Sequence, residues 1–178
     1  ATRGLMLNFG SQLDERRQDK YRARSRAQQA LEIFRELEDT PQIGEGLCRL
    51  ARIELIDGQL NAAQQRVEEA EEAVGELAAV RSHTFFLRGL LLQRQNQLAD
   101  AEKAFAQSNQ LAGHPQVQRA PMALDAGLKL GEVLAQQKKL PEAADVLSKV
   151  TQMAQGLRNG TAEHMASRLL TQIRDALK

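Results

Sequence analysis

Tryptophan is absent from this 178-residue sequence, tyrosine occurs once, and aromatic residues together make up 3 %. A core without large rings has to be closed by near approach of helices through Ala and Leu. The single cysteine, Cys48, excludes an internal disulfide, so no oxidising compartment is implied and a cytoplasmic location is expected. No apolar run approaches the roughly 18–20 residues of a spanning helix. The longest, around Leu87 to Leu92, already contains Arg88 and Gly89, so no membrane insertion is expected. Thr2, Arg3 and Gly4 pass at once into an amphipathic stretch, which is not a signal-peptide pattern. A start at Ala1 without Met fits a processed chain or an excised fragment, and a leader removed before Ala1 stays open. Charge of one sign is lacking too: 24 Lys and Arg face 23 Asp and Glu. Nothing global draws nucleic acid or an anionic membrane.

What remains is rich in Ala, Leu, Gln, Glu and Arg, residues that lose little rotamer freedom in a helix. They are organised as a repeat. Gly58-Gln59-Leu60-Asn61-Ala62-Ala63 is followed by Val67 and Ala70. Asn96-Gln97-Leu98-Ala99-Asp100-Ala101 is followed by Phe105 and Ser108, and Lys138-Lys139-Leu140-Pro141-Glu142-Ala143 by Leu147 and Val150. A weaker first copy places Ala23, Ala27 and Ala30 alike. The alanines Ala23, Ala63, Ala101 and Ala143 thus recur every 38 to 42 residues. Upstream of each turn lies a second apolar pattern, with small residues at Ala51, Gly89 and Gly131 where the helices of a pair cross. Gly inside a helix costs about 1 kcal/mol relative to Ala, and close backbone approach supplies the reason for it.

On these residues the chain resembles the tetratricopeptide (TPR) superfamily. Leu130-Gly131 with Leu140, Ala143 and Leu147, and Gly89 with Leu98, Ala101 and Phe105, match that family's helix A and helix B positions. The units run longer than the family's repeat of about 34 residues, and aliphatic side chains replace most of its aromatics. Longer units of this kind look like those of helical sensor domains in bacterial regulators and of kinesin-light-chain-like or partner-of-polarity adaptors. The resemblance implies an all-α fold: a right-handed α-α superhelix (solenoid) of four TPR-like hairpins plus a C-terminal capping helix.

Stop and start signals divide a single domain, 1–178, into repeats at roughly 3–38, 41–78, 82–112 and 117–156, with a capping helix at 161–177. The expected helices are 3–17, 20–38, 41–57, 60–78, 82–95, 98–112, 117–138, 141–156 and 161–177. Thr40-Pro41 reads as N-cap and first helical residue, Asn61 with Gln64 as a capping-box-like start, and Ser82 as the cap after the break near 79–82. The ninth helix shows Ala162, Met165, Leu169, Ile173 and Ala176 on one stripe; Leu170 and Leu177 widen it. Either the stripe covers the last pair or further repeats follow.

Catalytic and metal-binding patterns are missing. His83, His114 and His164 lie on different units, and no phosphate loop, zinc motif or nucleophile elbow occurs. No enzyme activity, cofactor or metal is expected. Asp14-Glu15 and Glu68-Glu69 read as solvated helix faces, since neighbours in sequence point apart. Cys48 reads as a small apolar filler or a passive groove residue. A basic cluster (Arg16, Arg17, Lys20, Arg22, Arg24, Arg26) and an acidic one (Glu68, Glu69, Glu71, Glu72, Glu76) admit two readings. One is a phosphate-binding patch, the other complementary surfaces on adjacent outer helices. Without interleaved aromatics beyond Tyr21, the second is preferred and nucleic acid is not expected.

The resemblance also implies that helix A of each pair lines a concave face. Its inward positions are Asn8 and Gln12, then Cys48, Arg52 and Leu55, then His83, Phe86, Leu90 and Arg94, then Asp125, Leu128, Lys129, Glu132 and Gln136. An apolar centre at Phe86 and Leu90, flanked by Arg52, Arg94 and Lys129, suits a peptide or helix with an apolar anchor and an acidic group. The alternative is that Phe86 and Leu90 only pack against neighbouring helices. Asn8 and Gln12 stand where chaperone-binding relatives carry a clamp lysine and asparagine, so that activity does not carry over. Two functions follow: a non-catalytic protein-interaction scaffold, or a ligand- or peptide-sensing domain of a bacterial regulator.

Overall fold

The computed structural model describes residues 2–16 and 19–176, which form nine α-helices and no strand. They are α1 (Thr2–Arg16), α2 (Lys20–Glu36), α3 (Thr40–Ile56), α4 (Leu60–Val74), α5 (Ala78–Arg94), α6 (Leu98–Gly113), α7 (Ala120–Gln136), α8 (Leu140–Gly156) and α9 (Gly160–Ala176). The chain divides into two compact units, Ala1–Leu87 and Arg88–Lys178, with the division inside α5. In the first unit α1, α2, α3 and α4 pack in chain order; in the second α6, α7, α8 and α9 do, and α7 also meets α9. Successive hairpins with odd helices side by side are the arrangement expected of a helical repeat. None of the helices is long and apolar enough to cross a membrane.

The repeat governs the packing. Ala23, Ala63, Ala101 and Ala143 are the fourth residues of α2, α4, α6 and α8, and each is fully buried. Twelve residues upstream of each stands a small residue of the preceding helix: Ser11, Ala51, Gly89 or Gly131. A Cβ on Gly89 would lie 2.6 Å from the Phe105 ring, and one on Gly131 would lie 2.6 Å from Leu147. The two helices of a pair therefore cross where the small residues allow it. Ser11 is the member of this set that the alanine and glycine pattern hid. Its hydroxyl donates to the Ala23 carbonyl at 2.8 Å, so the polar atom is satisfied inside the crossing.

Several helix ends differ from expectation. Asp39, not Thr40, is the N-cap of α3; its carboxylate accepts from the Gln42 N–H at 3.3 Å, and Pro41 follows in the first turn. The start of α4 follows Gln59 without a side-chain cap, Asn61 is an exposed residue inside the helix, and Gln64 donates to Glu68. The break expected near 79–82 comes earlier, because Gly75 turns with φ 51° and ends α4 at Val74. Ser82 consequently lies inside α5, fully buried, donating to the Ala79 carbonyl at 2.7 Å. Asn159 caps α9, its side-chain oxygen accepting from the Ala162 N–H at 3.1 Å. The exits of α3, α5 and α7 share one register, where Gly58, Asn96 and Lys138 take positive φ of 75°, 60° and 62°. Glu38 and Arg158 do the same after α2 and α8, at 52° and 53°.

The last helix is rotated relative to the expected stripe. Ala162, Ala166, Leu170 and Ile173 are buried against the unit, while Met165 and Ala176 are exposed. Leu177 lies outside the described residues.

Three residues from the end of each odd helix's small-residue crossing, the two units part company. Asp14 in α1 and Glu54 in α3 are 4 % and 7 % exposed, against the expectation that Asp14 is solvated. Each faces an arginine twelve residues on, at the seventh position of the next helix: Arg26 at 2.9 Å from Asp14, Arg66 at 3.8 Å from Glu54. The same two register positions in the second unit hold Leu92 with Ala104 and Leu134 with Val146.

Candidate interaction surface

In unit 1 the odd helices share a polar face tied together across helices. Arg49 of α3 donates from Nε to Asn8 of α1 and, from its terminal nitrogen, to Glu15 Oε1 at 3.1 Å. Arg52, one turn on, reaches Glu15 Oε2 at 3.1 Å. Glu15 is thus held between two guanidiniums with its side chain 6 % exposed, whereas Arg52 remains 51 % exposed. Burial pulls the Arg49 guanidinium below its ordinary value, and the Glu15 carboxylate opposes that by favouring the charged form. On the same face Glu45 Oε2 lies 3.2 Å from His83 Nδ1, joining α3 to α5. The imidazole donates when the proton is on Nδ1 and gains a full ion pair when doubly protonated.

Asn8, Arg52 and His83 are therefore brought onto one face. Gln12 is exposed on α1, and Phe86 is half-buried on α5. Cys48 and Leu55 are corrections: they are 0 % and 4 % exposed and belong to the core of α3, out of reach of any partner. The residues missed are Glu15, Glu45 and Arg49. Arg49 follows Cys48 by one position, and one residue rotates the chain about 100° round a helix. The signal was present in the fourth repeat, where Asp125, Lys129 and Glu132 occupy the register of Glu45, Arg49 and Arg52.

In unit 2 the face is sparser. Lys129 Nζ pairs with Glu132 at 2.6 Å within α7, Gln136 and Asp125 are exposed, and Leu128 is buried at 4 %. On α5, Leu90 is half-buried and Arg94 exposed, each one turn beyond the last in the series that starts at Phe86. Among the described residues, no group of three or more metal-ligating side chains is brought together.

The basic cluster is compensated locally. Lys20 pairs with Asp57 at 3.0 Å, Arg22 with Asp19 at 3.3 Å and Arg26 with Asp14 at 2.9 Å. Arg24 donates to Gln59 at 2.7 Å and lies 3.9 Å from both Glu54 and Asp57. Arg17 and the side chain of Arg16 lie outside what is described. Of the acidic run, Glu69 pairs with Arg35 of α2 and with Arg66 of its own helix, and Glu76 pairs with Arg81. Unit 2 repeats the Arg24 clamp with its charge reversed. Glu102, at the same register of α6, accepts from Gln137 at 2.8 Å and from Lys139 at 2.7 Å, which correspond to Asp57 and Gln59. The Lys139 hydrogen bond, with help from Gln137, holds the Glu102 carboxyl below its ordinary value despite partial burial.

No family model matches the chain, and no curated protein matches it either.

Proposed function

We propose that this chain is a non-catalytic protein-interaction module of the tetratricopeptide kind, which takes a partner peptide or helix on the faces of its odd-numbered helices. The observation that carries the reading is the cross-helix ladder of unit 1: Asn8, Glu15, Arg49 and Arg52 joined across α1 and α3, with Glu45 and His83 continuing it to α5. A surface whose rotamers are fixed by hydrogen bonds loses little entropy when a partner docks. Arg52, bound on one side and open on the other, is the group best placed to receive an acidic side chain, and Phe86 supplies the apolar anchor point. The compensated basic cluster leaves little spare charge for a phosphate backbone.

Selection of phage-displayed 15-residue peptides against the folded chain, followed by titration of the enriched sequences, tests this. Enriched peptides should carry an acidic residue near an apolar one and should lose about tenfold or more in affinity to Arg52→Glu or Phe86→Ala. Tyr21→Ala, remote from this face and 92 % exposed, should bind as the wild type does. Enriched peptides indifferent to Arg52 and Phe86, or no enrichment, would count against it. Sensing of a small ligand is the second reading, resting on a cleft of about 220 Å³ among Glu15, Lys20, Ala23, Ile53 and Ile56. That cleft falls below the roughly 300–1,000 Å³ usual for small-molecule sites, but an opening of about 450 Å³ among Lys20, Tyr21, Arg24, Asp57 and Gln59 falls within that range, so the protein-binding reading leads on the ladder and not on cavity size.

A further inference from the structure

The outer face of α1 carries an apolar stripe left open to solvent. Leu5, Met6, Phe9 and Leu13 are 49, 70, 62 and 37 % exposed. Met6, Phe9 and Leu13 succeed one another at spacings of three and four, the seam spacing of two packed helices. The repeat shows what such a face is used for. At the register of Met6 and Leu13, α3 buries Gly46 and Ile53 and α7 buries Ala126 and Val133. In α3 this is the side on which α2 packs, with Leu31 Cδ1 3.4 Å from where a Gly46 Cβ would be. Met6 and Leu13 thus stand at positions the later repeats cover with a neighbouring helix, while Leu5 and Phe9, at the register of Glu45 and Arg49, extend the apolar strip onto the adjoining row.

We infer that α1 pairs with α1 of a second copy, antiparallel about a two-fold axis near Phe9, with Met6 of each copy against Leu13 of the other. Three observations favour this occupant. An isologous contact covers both stripes with one another, and no other described helix offers a matching face. The remaining exposed large aliphatic side chains, Leu37, Ile56, Leu77, Met153, Leu157 and Met165, stand singly or near helix ends. From Leu5 to Leu13 the helix has no ionisable side chain, so two copies meet without bringing like charges together. The area sets the strength. The four side chains expose roughly 450 Å², within the range of functional surface patches. Two of them bury about 900 Å², short of the 1,200 Å² or more of stable complexes, which makes the dimer weak and reversible.

Sedimentation equilibrium of the 178-residue chain, from about 5 µM to about 500 µM, spans the affinity that such an area supports. The weight-average mass should rise from one chain toward two across that range. Phe9→Glu should stay monomeric throughout with unchanged helical circular dichroism, whereas Tyr21→Glu should dimerise as the wild type does. Phe9→Cys should cross-link to itself on oxidation, since Cys48 is buried and cannot compete. A wild type that stays monomeric over the whole range, or dimerises equally well as Phe9→Glu, overturns the proposal. Should Phe9→Glu fail to fold, the decision falls to Phe9→Cys: cross-linking supports the seam and its absence refutes it.

Discussion

In unit 1 the last turns of α1 and α3 bury a carboxylate against an arginine of the following helix, Asp14 with Arg26 and Glu54 with Arg66. In unit 2 the same positions hold Leu92 with Ala104 and Leu134 with Val146. The backbone register is common to both, so the pair at this crossing can be ionic or apolar without changing the hairpin. The energetics differ. Desolvating two charges costs several kcal/mol per ion, and their attraction repays it only with good geometry and further hydrogen bonds. Asp14–Arg26 meets the first condition at 2.9 Å but not the second, since the paired Oδ2 makes no hydrogen bond. Glu54 meets neither: both of its arginines stand nearly 4 Å off, and Oε2 has no hydrogen-bond partner. Unit 1 accordingly carries five of the six buried polar or charged side chains recorded among the described residues. The same unit holds the cross-helix ladder and the open stripe of α1, so the half that is costlier inside is also the richer outside.

The comparison can be broken by moving one unit's residue into the other. Leu134→Glu places a lone carboxylate at a site 5 % exposed and should cost about 3–5 kcal/mol in urea unfolding. Adding Val146→Arg should recover part of that loss, and no recovery would mean that the two registers are not equivalent. Next in size, Gly131→Val drives a side chain into Leu147 and should cost about 2–3 kcal/mol. Ala51→Gly, at the matching crossing of unit 1, should cost only about 1 kcal/mol. In the opposite direction, Glu54→Leu with Arg66→Ala should leave unit 1 as stable or stabilise it by about 1–3 kcal/mol. A loss of that size would show that the pair is favourable after all.

Acidity sharpens the contrast. Burial holds the Glu54 carboxyl above its ordinary value; Arg66 and Arg24 pull it down, and Asp57 adds to the rise. A raised folded value means that the stability from Glu54 is complete below the unfolded carboxylate value and is lost as pH climbs through the folded one. Glu102 is held low by Lys139 and Gln137, so its contribution is present above the unfolded value and is lost as pH falls through the folded one. Thermal melts between pH 3 and 8 of Glu54→Gln and Glu102→Gln should therefore depart from the wild type in opposite senses. Glu54→Gln should gain most at neutral pH, and Glu102→Gln should lose most there. The smallest effect is expected at Lys149–Asp145, with side chains 72 % and 62 % exposed. Its removal should change stability by about 0.5 kcal/mol or less.

The fold was legible because its signal repeats: four alanines at near-constant spacing each mark the fourth residue of a buried helix. The hairpin crossings at Gly89 and Gly131 were legible for the same reason. The face of α3 was half legible. Arg52 is half open to solvent, yet Cys48 and Leu55 were drawn from the neighbouring helical row and are buried. Glu15 was hidden because a carboxylate inside a helix ordinarily faces water, and only the fold brings Arg49 and Arg52 to it from 34 and 37 residues away. The pairs Asp14–Arg26 and Glu54–Arg66 were written in the sequence at identical spacing, but aliphatic residues fill that place in the later repeats and blur the pattern. The register of α9 escaped because Met165 and Leu169 compete with Ala166 and Leu170 for the inner side on hydrophobicity alone.

The helix exits hold a consequence for engineering. Gly58 takes its left-handed turn without a Cβ, but Glu38, Asn96, Lys138 and Arg158 adopt the same hand with full side chains. Each such residue carries about 1 kcal/mol of steric cost that glycine or, in part, asparagine avoids. Among the described residues, Glu38, Lys138 and Arg158 share no hydrogen bond or ion pair with one another, and gains at sites without shared partners should sum. Glycine grafted at Glu38, Lys138 and Arg158 would yield a hardier scaffold, with every core contact and every surface ladder left as it was.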